Sequence, residues 1–552
     1  MTSWVTEALK QTESLNISYT ENYDISYKTT NSYCLDAYTG FVRGVSEKTL
    51  ESLIKNAFKE DPKLTLKIVL YTYAARIGKD ERDIGLYLIN WILNNTHEYD
   101  NCLYLINEIP NLGRYKDLIY FCDNKNNKIS NYSVKFFAEE LLKCKYNIMM
   151  GNNDKISLVS KWAPSEKSEK RRLKNKNNNG NNVAHMISQY LKPELDLNSA
   201  LRNYRKILSY CRSDVGLDIP EKYMTEKKNI KNYEKLPAGF IKKHAHYIKK
   251  GKNIGNPCWL RKQDNWDKYL NDLKEGKVKI NTQGGKQSLV DLVSEYISNN
   301  SYSYDLKGEE SIVIEEAITT IFESIKQNVI NKRGNLDNWL IVPDFSGSMF
   351  DNKKLPFRVA CTFALIYSHM NENNYYKDLI MSFSDKPFLV KLNGNSWYDR
   401  LNDMINKLKN KIGYSTNFDS VIDKVIEISE KSRSKPPKII LVSDMQTNSA
   451  DRNYNKHTFM NRMKNKYEIL YEKLGYNKSE INNDFQMILV NVNGCYNNKS
   501  VLENDIGVSY ISGIKQTVVE DILIQGKIDN PYESMLKVLE KFDKYTLLLK
   551  KN

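Results

Sequence analysis

"NWLIVPDFSGSMF", residues 338–350, begins with an apolar run of strand length and ends with Asp344, Ser346 and Ser348 on alternate positions. Alternate positions of an extended segment share a side, so the three oxygen-bearing side chains aim at one point. Similar apolar runs recur downstream: "DLIMSFSD" (378–385), "FLVKL" (388–392), "KIILVSDM" (438–445), "FQMILVNVN" (485–493) and "VSYISG" (508–513). Helical patterns lie between most of them, and "NPYESMLKVLEKFDKY" (530–545) closes the series. Near-continuous apolar strands alternating with helices indicate an α/β doubly wound sheet covered on both faces.

Ligands of such sheets sit outside the carboxyl ends of the strands. Asp344 lies at one such end, Asp444 at the end of "KIILVSDM", and Thr416 in "GYSTNFDS" (413–420), a loop leading into a helix. All five donors are hard oxygens, a set that selects Mg²⁺, Ca²⁺ or Mn²⁺ over zinc or copper. Hydroxyls outnumber carboxylates, which leaves the ion partly hydrated and favours magnesium. The plainer alternative is that Asp344 and the serines only cap a turn and helix. It accounts for neither Thr416 nor Asp444. Pro343, inside the first strand, lacks a ladder donor and is expected to mark where pairing ends.

Upstream of about residue 335 the pattern is helical. Residues 1–30 are polar and read as a loosely held arm. In "SEKTLESLIKNAFKE" (46–60), Ser46 precedes acidic first-turn residues, and Leu50, Leu53, Ile54 and Phe58 repeat at helical intervals. "LTLKIVLYTYAARI" (64–77), "DIGLYLINWILNN" (83–95) and "VKFFAEELLKCKYNIMM" (134–150) continue it. Short polar turns between helices indicate a solenoid or bundle, without a fixed-length repeat. "EKSEKRRLKNKNNNGNN" (166–182) reads as a surface loop or linker. The expected organisation is an arm (1–30), a helical repeat domain (31–330) and the α/β domain (331–552).

The 552 residues carry a net charge of +15, which suits a polyanionic partner. Compositional drift in an Asn-, Lys- and Ile-rich chain accounts for it equally well. Residues 221–253 hold ten lysines against three glutamates, with Tyr223, Tyr233, Phe240 and Tyr247 interleaved. An ordinary solvated helix face would look the same. The eight cysteines include no CxxC pair, so neither a zinc site nor a redox motif is indicated and reduced thiols are expected. The chain shows neither a secretory signal nor an apolar run long enough to span a membrane. A cytoplasmic location follows as the expectation, with nuclear or virion-associated placement open. No P-loop, HExxH, GxSxG or Cys/His arrangement appears, so the protein is expected to be non-enzymatic.

The DxSxS motif at 344–348, Thr416 and Asp444 together resemble the metal-ion-dependent adhesion site of von Willebrand factor A domains. That resemblance covers residues 335–552. It implies direct coordination by Ser346 and Ser348, with Thr416 and the two aspartates bound directly or through water. A helical region followed by such a domain resembles the layout of the Ro autoantigen group, whose helical part is of TROVE type. "RIGKDERDIGLYLINWILNN" (76–95), "EIPNLGRYKDLIYFCD" (108–123), "ISLVSKWAPSE" (156–166) and "LRNYRKILSYCRS" (201–213) are similar to an uncharacterised Ro-like family of plants, fungi and large DNA viruses. The resemblance implies an RNA-binding, ribonucleoprotein-type scaffold. Candidate RNA contacts are Arg76, Lys79, Arg82, Arg114, Lys227, Lys228, Lys231, Lys242, Lys243, His244, Lys249 and Lys250. Arg82 has an alternative partner in Asp80 or Asp83, and Trp162 reads better as a core anchor than as a stacking platform. The other function class is a protein-interaction scaffold that docks a partner's acidic residue through the metal, without specific RNA.

Overall fold

Aliphatic side chains dominate the runs at 339–343, 438–443 and 487–491, and almost every residue in them is buried. This is what a central parallel strand requires, because helices cover both faces. The computed structural model describes residues 16, 18–20, 24–95, 102–152, 155–176, 180–212, 230, 232–234, 236–241, 265–282, 288–297, 309–382, 387–408, 417–446, 458–494 and 498–548. Among them are eight strands: β1 (Ser18–Tyr19), β2 (Ile25–Ser26), β3 (Trp339–Pro343), β4 (Leu379–Ser382), β5 (Phe388–Lys391), β6 (Lys438–Ser443), β7 (Met487–Asn491) and β8 (Val508–Ser512).

The last six form one mixed sheet in the order β5-β4-β3-β6-β7-β8. All pairs are parallel except β4 with β5, which makes one edge antiparallel. Counted from β3, the order is that of a doubly wound sheet, and it reverses between β3 and β6. Leu340, Val342, Ile439, Leu441, Met487 and Leu489 share a core cluster with residues of helices Phe418–Ser432 and Phe459–Leu474. Helix Asp351–Met370 also packs on β3 and β6. Truncating Val342 or Leu441 to Ala should cost on the order of 2–5 kcal/mol.

Pro343 loses nothing here. The Asp344 N–H donates to Val442 O at 2.9 Å, so the backbone N of Pro343 faces β4 instead. Pairing with β4 is registered at Ile341 with Ile380, before Pro343 is reached.

Contacts divide the chain into two compact units, one made of residues 1–72 and 286–543, the other of 73–285 and 544–552. This grouping differs from a boundary near 330, for physical reasons that the sequence hides. The described residues 18–20 and 24–30 belong to the sheet unit rather than to a loose arm. β1 pairs with β2, and Tyr27 exchanges backbone hydrogen bonds with Lys499 at 2.8 and 2.9 Å. Helix Tyr33–Gly40 packs against the edge strand β8. Glu315, on helix Glu309–Arg333, accepts the N–H groups of Trp397 and Tyr398 at 3.0 and 2.9 Å and so caps helix Trp397–Leu408.

The second unit is helix-rich. Its described helices include Arg82–Asn95, Leu105–Leu112, Asn127–Met149, Glu166–Asn175, Val183–Leu191 and Leu197–Cys211. The segment expected to be a linker at 166–182 is in fact helical over Glu166–Asn175. Ser165 and Ser168 form a reciprocal cap, and Arg172 pairs with both Asp123 and the buried Glu169 at 2.5 and 2.7 Å. Gly85 lies against Tyr73: an added Cβ would meet Tyr73 Cβ at 2.5 Å and its Cα at 2.6 Å. Gly85→Ala is therefore expected to destabilise this unit by about 1–3 kcal/mol, read as a lower urea midpoint. No helix among the described residues is long and apolar enough to cross a membrane.

Candidate metal centre

The order of the sheet places the ends of β3 and β6 side by side at its reversal point, where doubly wound sheets open a crevice. Asp344 follows β3 and Asp444 follows β6. Both are buried, at 0% and 1% exposure. The two loops turn in the same way. Asp344 Oδ1 accepts the N–H of Ser346 at 2.8 Å, and Asp444 Oδ1 accepts the N–H of Gln446 at 3.2 Å. Each carboxylate thus folds its own loop back over the strand end. Met445 takes a left-handed φ of 61° to complete the second turn.

Ser346 and Ser348 project to the same side, with their hydroxyls 3.3 Å apart. Ser346 is buried and Ser348 half-buried. The residues between and beyond them hold the loop down. Phe345 is fully buried edge-on to Phe357, at 5.5 Å between ring centroids, and Phe350 stacks on Phe357 at 4.6 Å.

Ser443, the last residue of β6, donates its hydroxyl to Asp344 Oδ2 at 2.6 Å and accepts the Met445 N–H at 3.0 Å. It bridges the two loops. Its signal in the sequence is a lone hydroxyl closing an otherwise aliphatic buried strand.

Burial, and then the negative charge of Asp444, push the Asp344 carboxyl up to about 7, against the pull of hydrogen bonds from Ser443 and Ser346. Two adjacent buried carboxylates are costly to ionise together. A hard cation between them would remove that cost, and the all-oxygen donor set fits such an ion. Among the described residues no group of three or more His, Cys, Asp or Glu side chains gathers as a metal cluster. The candidate site brings together two carboxylates, Asp344 and Asp444, with the hydroxyls of Ser346 and Ser348 near Asp344.

Thr416 lies outside the described residues. The residues just after it are placed: Asn417 caps helix Phe418–Ser432 by accepting the Ser420 N–H at 3.1 Å, and Phe418 joins the core cluster with Val342, Leu441 and Met445. Phe418 thus packs near the ends of β3 and β6. Arg462 secures the first turn of that helix, reaching Asp419 at 2.8 Å and Asp24 at 2.9 Å. Sequence patterning does not single out Arg462, because its partners lie far away along the chain.

The candidate RNA contacts fare differently. Arg76 is exposed. Lys79 is fully buried, which withdraws it from any phosphate and corrects its assignment as a surface contact. Arg82 is committed to Asp117 at 2.7 Å and Asp83 at 3.1 Å; buried Asp117 also accepts the Tyr73 hydroxyl at 2.9 Å. Arg114 is half-buried beside the turn Tyr115–Asp117. Lys227, Lys228, Lys231, Lys242, Lys243, His244, Lys249 and Lys250 lie outside the described residues. Trp162 is half-buried, with the ammonium groups of Lys116 and Lys161 at 5.8 and 5.5 Å from its ring centroid.

Residues 338–550 match the model of a domain of unknown function (DUF7788), and residues 20–98 match that of another (DUF2828). The chain is also 25% identical to Uncharacterized protein L728 of Acanthamoeba polyphaga mimivirus, over 96% of this chain and 88% of that protein. The likeness is thus to an uncharacterised family with a member in a large DNA virus.

Proposed function

We propose that residues 331–552 form a von Willebrand factor A-type domain whose adhesion site holds Mg²⁺, and that the protein is a non-enzymatic scaffold docking an acidic group of a protein partner there. The observation that carries this reading is the convergence of Asp344, Ser346, Ser348 and Asp444 at the reversal point of a sheet with this strand order. Those four residues would hold the ion, with Thr416 as a fifth donor. The ion supplies a positive charge to which a partner's carboxylate can bind. Ser443 and the two backward-folded loops orient the donors beforehand. The test is affinity purification from cells making the protein, in Mg²⁺, in EDTA, and with Asp344→Ala. A partner kept in Mg²⁺ and lost in both other conditions supports the proposal. The same partners in all three would overturn it.

A Ro-type RNA scaffold, with the TROVE-like solenoid of the resemblance, is the second reading. It is favoured by the net charge of +15 and by a groove of about 660 Å³ in the helical unit, lined by Lys128, Lys135, Tyr132 and Tyr190. Lysines beside partly exposed rings suit a single strand, with phosphates on the cations and bases on the rings. Sequencing RNA crosslinked to the immunoprecipitated protein tests it. Enrichment of a few RNAs, with binding that weakens steeply as salt rises, is the expected result. Background RNA alone would remove this reading.

A further inference from the structure

A cavity of about 730 Å³ opens in the helical unit between helices Leu105–Leu112 and Asn127–Met149, a size within the range of small-molecule sites. One face of the longer helix forms its wall, with Phe136, Glu140, Lys143 and Asn147 following at intervals of four, three and four residues. That face runs about 16 Å from Phe136 to Asn147. Polar groups in its middle satisfy one another: Glu140 accepts the Tyr115 hydroxyl at 3.0 Å and the Lys143 ammonium at 3.3 Å. Those at the two ends do not. One turn from Phe136, Tyr132 donates its hydroxyl to Asn107 Oδ1 at 3.3 Å, and the Asn107 amide N–H groups have no acceptor among the described residues. Beside it, Glu108 takes the Asn111 amide at 3.0 Å on one oxygen and leaves the other without a partner among them. At the far end, Asn147 is only 6% exposed and donates to Lys155 O at 2.9 Å, while its own Oδ1 accepts nothing among the described residues. The exposed Lys155 ammonium pairs with no carboxylate among them.

Polar atoms left unpaired in a sheltered site call for partners from outside the chain. The two ends ask for different ones. Near Phe136 an amide donor and a carboxylate acceptor stand beside an aromatic ring, which suits the edge and the face of a base. At the other end the Lys143 and Lys155 ammonium groups suit a phosphate, and Asn147 Oδ1 suits a ribose hydroxyl. Guanine matches the first end better than adenine. Its O6 accepts from Asn107 while N1–H and N2–H donate to Glu108, whereas adenine would set its N1 lone pair against the carboxylate. We infer that this cavity binds a guanine nucleotide, with the base at Phe136, Asn107 and Glu108 and the phosphate at Lys143 and Lys155. A free nucleotide and the terminal nucleotide of an RNA strand share this chemistry.

The test is a fluorescence titration of the full-length protein with mant-GDP in EDTA, so that the metal centre takes no part, followed by competition. Saturable binding is expected, displaced by GDP about tenfold better than by ADP or by guanosine. Lys155→Ala should weaken GDP about tenfold and leave guanosine unchanged. Glu108→Gln should weaken both and remove the preference over ADP. Neither side chain is buried, and thermal unfolding at the wild-type temperature would show that both variants fold. A 5′-phosphorylated RNA beginning with guanosine that competes as well as GMP would identify a strand end as the source of the nucleotide, and competition by free nucleotides alone would identify the free form. The absence of saturable binding at millimolar GDP, equal displacement by ADP, or affinity that both variants leave intact would overturn the inference.

Discussion

Stripped of divalent cations, the protein is expected to unfold several degrees lower than in saturating Mg²⁺, and Asp344→Asn is expected to abolish the difference. A ligand present at a hundred times its dissociation constant stabilises the native state by about 2.7 kcal/mol. For a domain of this size, that corresponds to a rise in Tm on the order of 5 °C. The sign of the mutational effect should depend on the metal. In EDTA, Asp344→Asn deletes one of two buried, adjacent carboxylates and should leave the protein as stable as wild type or more so, because that pair is costly without a counter-charge. In Mg²⁺ the same variant should be the less stable of the two proteins. Differential scanning fluorimetry in both buffers reads all four values. A variant that keeps the full Mg²⁺ response would place the ion elsewhere.

The second large effect is expected at Arg462. Its guanidinium donates to Asp24 at 3.0 and 2.9 Å and to Asp419 at 3.2, 3.1 and 2.8 Å, with all three residues buried. Removing the cation strands two carboxylates in the interior. Lys466, at 3.3 Å from Asp419, offsets part of that cost. Arg462→Met should therefore cost about 3–5 kcal/mol in urea unfolding. Neutralising both carboxylates in the same chain (Asp24→Asn, Asp419→Asn, Arg462→Met) should recover most of that loss, because a buried triad replaced as a whole is often neutral. If the single variant costs under about 1 kcal/mol, as exposed pairs do, the triad does not tie the N-terminal segment to the sheet unit.

The sheet is legible in the sequence because its central strands are short aliphatic runs, each ending where a polar residue begins. A run of that length with helical patterns on both sides is too short for a buried helix, and it puts Asp344 and Asp444 at strand ends before any strand order is known. Strand order itself is not legible, since pairing partners leave no mark in a single chain. Ser443 escapes notice for a related reason: its partner, Asp344, sits beyond the end of a different strand. The N-terminal segment looks like an arm because β1 and β2 are two residues long and hold through distant partners such as Lys499. Helix Glu166–Asn175 looks like a loop because only Glu169 on it is buried. Its order comes from capping and from ion pairs with Asp123, and hydrophobic periodicity reports neither. Lys79 shows the limit of residue type as a guide to exposure, since this lysine of a basic word is buried completely.

Anomalous diffraction from crystals of the full-length protein, grown with Mn²⁺ in place of Mg²⁺, would locate the ion directly. One strong anomalous peak is expected between the β3 and β6 tips, within about 2.5 Å of the Ser346 and Ser348 hydroxyl oxygens. That peak should be absent from Asp344→Ala crystals. A well-ordered β3–β6 crevice without the peak, or a peak that survives the substitution, would rule out a metal centre built on Asp344.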